Sequence, residues 1–428
     1  MTAALHRRAG HVLLANWRGQ STVPAAGLYP HQWSWDSAFI ALGLRHLSPL
    51  RAQRELEALF GAQWPDGRVP HIVFDRIVPA VAYFPGPEFW RSERETGPRH
   101  PATSGLIQPP VHALAAWKTF LADPGLARTR GFLPRLYPRL RAWHAYLTGR
   151  RAFGSRGLVS IVHPWESGMD NSPAWDVPLS RVRPVPPDRF TRRDLGHARE
   201  AERPTDDDYG RYVRLAAAYR DHGYADELSR HAFAVEDPLT NALLAASEQA
   251  MSEIAAEVGA DPEPHAAELE RLREALVNGL FDGGDGVFHA HDVHSGLPLR
   301  SGSIAGLTPL VVPGLPVADA VVKTALGDRF RLGETGLPPS FDLTDPLFEA
   351  HRYWRGAVWF NIGWLLWHGL RLHGATEVAA TVRNALLTAA DNAGFREYVD
   401  PLTGSGHGVR DFSWTAAVVL DLLTQRAN

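Results

Sequence analysis

Leu133-Pro134-Arg135-Leu136-Tyr137-Pro138-Arg139-Leu140-Arg141-Ala142-Trp143-His144-Ala145-Tyr146-Leu147 places Leu133, Leu136, Leu140, Trp143 and Leu147 at steps of three, four, three and four. That spacing lines five apolar side chains along one face of an α-helix. The same period recurs in both directions. Upstream it predicts helices over 3–16, over a stretch carrying Trp35, Phe39 and Leu42, over one carrying Leu56, Leu59 and Phe60, and over 109–122. Downstream it predicts 206–219, then a helix that Asp237-Pro238 caps and opens, with Leu239, Leu243, Ala250 and Ile254 inside. Helices over 262–280, 318–326, 354–372 and 378–392 follow, and a last one from near Ser413 carries Trp414, Ala417, Val418 and Leu422 inward. The segment 354–372 is apolar nearly all round, as a buried helix is. One short strand, 287–293, follows the turn at Phe281-Asp282-Gly283-Gly284-Asp285-Gly286, and 297–315 reads as a loop.

About twelve helices with few strands make an all-α chain. Their alternating short and long links predict helical hairpins closing into an (α/α)6 barrel, although a two-domain helical array has the same pattern. Two irregular regions interrupt the helices, from Pro65 to Ser104 and from Arg150 to about Pro204. Loops that long are commonly functional. The expected organisation is one domain over 1–428, with lid insertions at about 65–104 and 177–205.

Composition excludes several classes of function. A formal net charge of −3 gives no basic field for a phosphate backbone, so no nucleic-acid partner is expected. After His6-Arg7-Arg8 only Val12-Leu13-Leu14-Ala15 is continuously apolar, too short for a signal segment, and no run reaches about 18 apolar residues. A cytoplasmic protein without a membrane partner is the expectation, and a homo-oligomer is compatible with it. The absence of cysteine removes disulfides, thiol nucleophiles and thiolate metal sites. Fourteen tryptophans, many in polar surroundings, suit a carbohydrate cleft.

The polar surroundings concentrate in His163-Pro164-Trp165-Glu166-Ser167-Gly168-Met169-Asp170-Asn171-Ser172-Pro173-Ala174-Trp175-Asp176, which follows no helix or strand period. Three carboxylates beside two indoles suit glycoside chemistry, in which indole faces such as that of Trp165 cover the sugar and carboxyl groups move protons. A solvated loop anchored by its two tryptophans would read the same way. A glycosidase needs a second carboxyl from a distant segment, and Glu397 or Asp400, in the turn between the last two helices, can supply it unless Glu397 merely pairs with Arg396 or Arg410. Aromatic and polar side chains also adjoin at Tyr29 with Gln32-Trp33-Ser34-Trp35-Asp36, at Gln108, and at Tyr353-Trp354-Arg355-Gly356 leading to Trp359. His289, His291 and His294 supply no third metal ligand if 287–293 is a strand, because alternation puts only the first two on one face. Asp206-Asp207-Asp208 reads as a helix N-terminal charge cluster.

The stretches His-Pro-Trp-Glu-Ser-Gly-Met-Asp-Asn-Ser-Pro at 163–173, Tyr-Trp-Arg-Gly at 353–356 and Phe-Arg-Glu-Tyr with Asp-Pro-Leu-Thr-Gly at 395–404 together resemble glycoside hydrolase family 63 over nearly the whole chain. The short length and Gln32-Trp33-Ser34-Trp35-Asp36 resemble its bacterial mannosylglycerate and glucosylglycerate hydrolase branch. The resemblance implies an (α/α)6 barrel, inversion at the anomeric carbon, a small sugar-glycerate substrate, no cofactor and no metal in the chemistry. It makes Asp170 the general acid and Glu397 the general base, with Tyr398 and Asp36 orienting them. It also implies a sugar held by Trp33, Trp35, Asp36, Trp354 and Trp359, and a glycerate gripped by Tyr83, Gln108, Arg203, Tyr209 and Tyr353. Two carboxyls roughly 6.5–9.5 Å apart would admit the attacking water of an inverting enzyme. The alternatives are another α-glucosidase or α-mannosidase of that family, a helical-barrel epimerase, or a non-catalytic sugar or osmolyte binder.

Overall fold

The computed structural model describes residues 2–196 and 198–424, so position 197 of the second expected lid lies outside the described residues. Among them, twelve α-helices have nine or more residues: α1 (Thr2–Asn16), α2 (Ser34–Leu44), α3 (Pro49–Gly61), α4 (His112–Ala122), α5 (Phe132–Arg150), α6 (Asp206–Asp221), α7 (Pro238–Glu257), α8 (Glu263–Leu280), α9 (Ala318–Leu326), α10 (Phe360–Leu372), α11 (Thr376–Ala393) and α12 (Ser413–Thr424).

The inner ring of the barrel closes through α2, α4, α7, a 3-10 helix at Ile304–Val311, α10 and α12, which returns to α2. Around it, α1 packs on α12, α3 on α2, α5 on α4 and α7, α8 on α7, α9 on the 3-10 helix and α11 on α10. The chain therefore alternates outer and inner helices, with one exception. Helix α6 belongs to neither ring. The burial pattern follows from this layering: every residue of α2 and of the 3-10 helix is buried, whereas α8 buries one stripe, Leu269, Leu272, Leu276 and Leu280 with His265.

All twelve expected helices form, but the twelve of the barrel are a different set, in which the 3-10 helix stands in place of α6. The segment 297–315, expected as a loop, contains the sixth inner helix. Its eight buried residues, Ile304-Ala305-Gly306-Leu307-Thr308-Pro309-Leu310-Val311, are too few to show a helical period, and Gly306 and Pro309 read as breakers. The expected strand 287–293 is two strands, Val287–Phe288 and Ala290–Asp292, interrupted at His289. The helix expected from 354 begins at Phe360, because Val358–Trp359 pairs as a strand with Tyr398–Val399.

Local capping sets several boundaries. Ser48 accepts from the Arg51 amide before Pro49 in α3, Asp237 accepts from Thr240 before Pro238 in α7, and Thr205 and Asp208 form a reciprocal capping box at α6. Helix α6 packs in two apolar clusters separate from the main core, one with Trp175, Leu179 and Val182 and one with Trp64, Trp90 and Tyr224. These clusters join the 65–104 and 177–205 stretches into a roof over one end of the barrel. No helix among the described residues is long and apolar enough to cross a membrane.

Candidate active site

Under that roof lies a cavity of about 860 Å³, mouth included, which Tyr29, Trp33, Trp35, Asp36, Tyr83, Gln108, Trp165, Asp170, Arg203, Tyr209, Tyr353, Trp354, Trp359 and Glu397 all line. Every residue expected to touch the substrate or move a proton is therefore brought together, whereas Tyr398, expected to orient the pair, does not line the cavity. The barrel explains why: Trp33, Trp35 and Asp36 start α2, Gln108 precedes α4, Trp359 precedes α10 and Trp414 starts α12. Inner helices running parallel present their N-terminal ends to one chamber. Trp414 and Phe412 were not foreseen, and the parallel running of the inner helices is the signal that would have found them. Arg193, Asp194 and Pro204 come from the roof and carry no comparable signal.

The loop at 163–176 owes its shape to particular residues. His163 Nδ1 accepts from the Trp165 amide at 3.0 Å, and its Nε2 donates to the Tyr212 carbonyl at 2.9 Å. Burial lowers this imidazole to about 3, which keeps it neutral for both bonds. The Trp165 ring then lies between those of His163 and His71. Gly168 stands at φ +71°, and a Cβ there would lie 2.5 Å from the Trp35 indole. The Ser-Gly break is what lets Trp35 lie against the loop.

The three carboxylates of the loop meet three different fates. Glu166 is fully buried on Arg151 and accepts from the amides of Val162 at 2.8 Å and Ile107 at 3.2 Å. Asp176 pairs with Arg355 near the surface. Asp170 alone faces the cavity, and its carboxyl has no side-chain partner among the described residues. Burial pushes it up to about 7, with the Glu397 charge adding to the rise and Arg203 opposing it. The Tyr212 hydroxyl fixes its position by donating to the Asp170 carbonyl at 2.7 Å.

Glu397 is 1% exposed. Its Oε1 accepts from the Tyr29 hydroxyl at 3.0 Å, and its Oε2 accepts from Arg203 Nη2 at 2.8 Å and the Val409 amide at 3.0 Å. Gly408 permits the last contact, because a Cβ there would lie 2.4 Å from Oε2. The carboxylate thus pairs with neither Arg396 nor Arg410. Arg203, expected to grip an aglycone, spends both terminal nitrogens on Glu397 and Tyr29 and leaves Nε buried without a partner among the described residues. Tyr398 reaches this centre indirectly, donating to the Glu202 carbonyl at 3.3 Å. Asp36 is buried and raised well above the usual carboxylate range, by desolvation first and by the Glu397 charge second.

Trp354 and Trp359 stack face to face with centroids 4.0 Å apart and 4° between their planes. Tyr353 meets Trp359 edge-on, with its backbone held at φ +40°. Gln108 accepts from the Trp35 amide at 3.1 Å, while the indole nitrogens of Trp33 and Trp414 are buried without partners. The chamber combines flat apolar walls, N–H donors without partners among the described residues, and the carboxyls of Asp36, Asp170, Asp194 and Glu397 in unlike surroundings.

A profile of the mannosylglycerate hydrolase MGH1-like glycoside hydrolase domain matches residues 29–415. The chain belongs to this glycoside hydrolase family. It is 40% identical over 426 residues to a mannosylglycerate hydrolase of Rubrobacter radiotolerans, covering 97% of this chain and 95% of that one. It is 37% identical over 446 residues to a glucosylglycerate hydrolase of Mycolicibacterium hassiacum, covering 98% and 97%. The crystal structure of the GH63 mannosylglycerate hydrolase of Thermus thermophilus in complex with Tris and D-glycerate superposes with a TM-score of 0.88 at 41% identity, covering 97% and 99%. The (α/α)6 barrel read from the sequence is the fold of this family, and the chain is a glycoside hydrolase.

Proposed function

We propose that the chain hydrolyses mannosylglycerate, glucosylglycerate or both to the free sugar and glycerate, with inversion at the anomeric carbon. Asp170 donates its proton to the bridging oxygen as the bond to the anomeric carbon breaks. Glu397 takes a proton from a water that attacks that carbon from the opposite face. The sugar acquires the water oxygen, and glycerate leaves protonated at its hydroxyl.

One observation carries this reading. Of the four carboxyls that line the chamber, two stand in environments that push them toward opposite tasks: Asp170 is held up to about 7 by burial, and Glu397 is fixed by Arg203, Tyr29 and the Val409 amide. The stacked Trp354 and Trp359 offer a face for a hexose ring, and the unpaired Arg203 Nε and the Gln108 amide offer donors for a small carboxylate. The substrate class is supported by the relatives, which are named for both compounds. The roof stretches at 65–104 and 177–205 open to admit substrate in this reading, and substrate should slow protease nicking in both.

Incubation with each α-linked compound, followed by NMR of the anomeric signals at early times, tests the proposal. Immediate release of β-sugar by the wild type, lost in Asp170→Asn and Glu397→Gln variants that fold normally, is the expected result. Release of α-sugar would overturn the inversion, and near-normal rates in both variants would overturn the roles.

A further inference from the structure

Behind Glu397, outside the cavity lining, His351, Asp400 and His407 bring one potential ligand atom each within 4.8 Å of one another. We propose that these three side chains bind one transition-metal dication of the zinc class, tying together the loops that carry the active-site walls.

The donor chemistry suits such an ion, with two imidazoles and one carboxylate. His351 Nδ1 and Asp400 Oδ2 are 3.1 Å apart, close to the roughly 3.3 Å between two ligands of a tetrahedral ion with bonds of about 2.0 Å. Asp400 is buried, and its Oδ1 already accepts from the amides of Leu402 at 2.6 Å and Thr403 at 3.0 Å, which leaves Oδ2 for a cation. No guanidinium or ammonium reaches Asp400 among the described residues. His407 has an outer partner of its own. Glu202 Oε1 lies 3.1 Å from its Nδ1, an arrangement that fixes the proton there, and Nε2 has only a long 3.4 Å contact with the Ser405 hydroxyl for an ion to displace, that hydroxyl keeping Thr403 at 2.8 Å. The His351 side chain is 59% exposed, and closing a separation of at most 4.8 Å to about 3.3 Å needs a movement of no more than about 1.5 Å.

A second cluster, Asp282, Asp285 and His289, argues the point by contrast. There Arg300 already sits 2.6 Å from Asp282 and 3.1 Å from Asp285 and supplies the positive charge. The cluster at Asp400 has no such occupant.

Its position gives the ion a consequence. His351 lies two residues before Tyr353, Asp400 three after Glu397, and Glu202 directly before Arg203. An ion here pins the turn bearing Tyr353 to the hairpin bearing Glu397, and through Glu202 it holds the roof loop that delivers Arg203. It takes no part in the bond-breaking step.

The test is a titration of chelator-treated protein with Zn2+ and with Co2+. One equivalent should bind per chain, Co2+ should develop the visible absorption of a low-symmetry nitrogen and oxygen site, and the melting temperature should rise by about 3 °C with the ion at a hundred times its Kd. His351→Ala and His407→Ala should each weaken binding at least tenfold, and exposed His351 can be replaced without loss of folding or of metal-free turnover. Absence of stoichiometric binding would overturn the proposal. So would binding that both variants retain but His289→Ala abolishes.

Discussion

Arg203 Nη2 stands 2.8 Å from Glu397 Oε2, with both side chains almost wholly enclosed. The guanidinium also donates to Tyr29, which in turn donates to the same carboxylate, so Glu397 is the end of a short chain of donors. Replacing Arg203 by Met removes a charge-assisted bond worth about 1.5–3 kcal/mol and should lower kcat roughly 10- to 100-fold. Lys, a point charge without the fork, should restore only part of the rate. A merely structural role would leave the pH profile unmoved. Since the Arg203 charge opposes the rise of Asp170, its removal should also shift the alkaline limb of kcat/KM upward.

In the proposed mechanism Asp170 sets that limb. The acid must hold its proton to act, so kcat/KM should fall above about pH 7, and a flat profile from pH 6 to 9 would sink the assignment. Stability follows the same group with a defined sign. Folding raises the carboxyl from 3.8 to about 7, so its favourable contribution is complete below 3.8 and is lost as pH rises through 7. Asp170→Asn should therefore melt higher than the wild type at pH 9 and lose that advantage in acid, which differential scanning at the two pH values would measure.

The tryptophans, Asp36 and the carboxyl candidates were legible from their chemistry, whereas Tyr83 and Tyr209 were named only through the family resemblance, and Tyr398 does not line the cavity. An indole beside an acid at a loop-to-helix junction is unusual wherever it stands, as at Trp33-Ser34-Trp35-Asp36. What the chain did not disclose was long-range. Arg203 was legible as a carboxylate partner, yet the carboxylate it meets lies 194 residues away. The sixth inner helix was hidden because eight buried residues have no polar face to set a period. Helix α6 was counted into the barrel for the opposite reason, since its amphipathic pattern states that one face is covered and not by what.

Glu166 and Arg151 are both 0% exposed at their side chains, and Glu166 also takes two backbone amides that fix the start of the 163–176 loop. Deleting Arg151 leaves the Glu166 charge without a cation among the described residues, whereas Arg151 also stands 3.3 Å from Asp226. Arg151→Met should cost about 3–5 kcal/mol in denaturant unfolding, and Arg151→Met combined with Glu166→Leu should cost less than the single change. A single change below about 1 kcal/mol would show that water enters this cluster in solution.

Glu248 makes the acid side of the stability curve predictable. It lies on α7, where Oε1 is 2.7 Å from His144 Nδ1 on α5 and Oε2 is 2.6 Å from His265 Nδ1 on α8, so one carboxylate joins an inner helix to two outer ones. Burial pushes this carboxyl up, but the two imidazoles outweigh it and hold the group down at about 2, against 4.5 in an unfolded chain. A lowered carboxyl stabilises the fold fully above 4.5 and loses that contribution as pH falls through about 2. Glu248→Gln should therefore unfold at lower denaturant at pH 7 and show a shallower loss of stability between pH 4.5 and 2 than the wild type. Parallel acid limbs for the two proteins would place the imidazoles' influence on some other carboxyl. Because the cluster is remote from the chamber, kcat at pH 7 and moderate temperature should be unchanged, which separates a brace between helices from any part in the reaction.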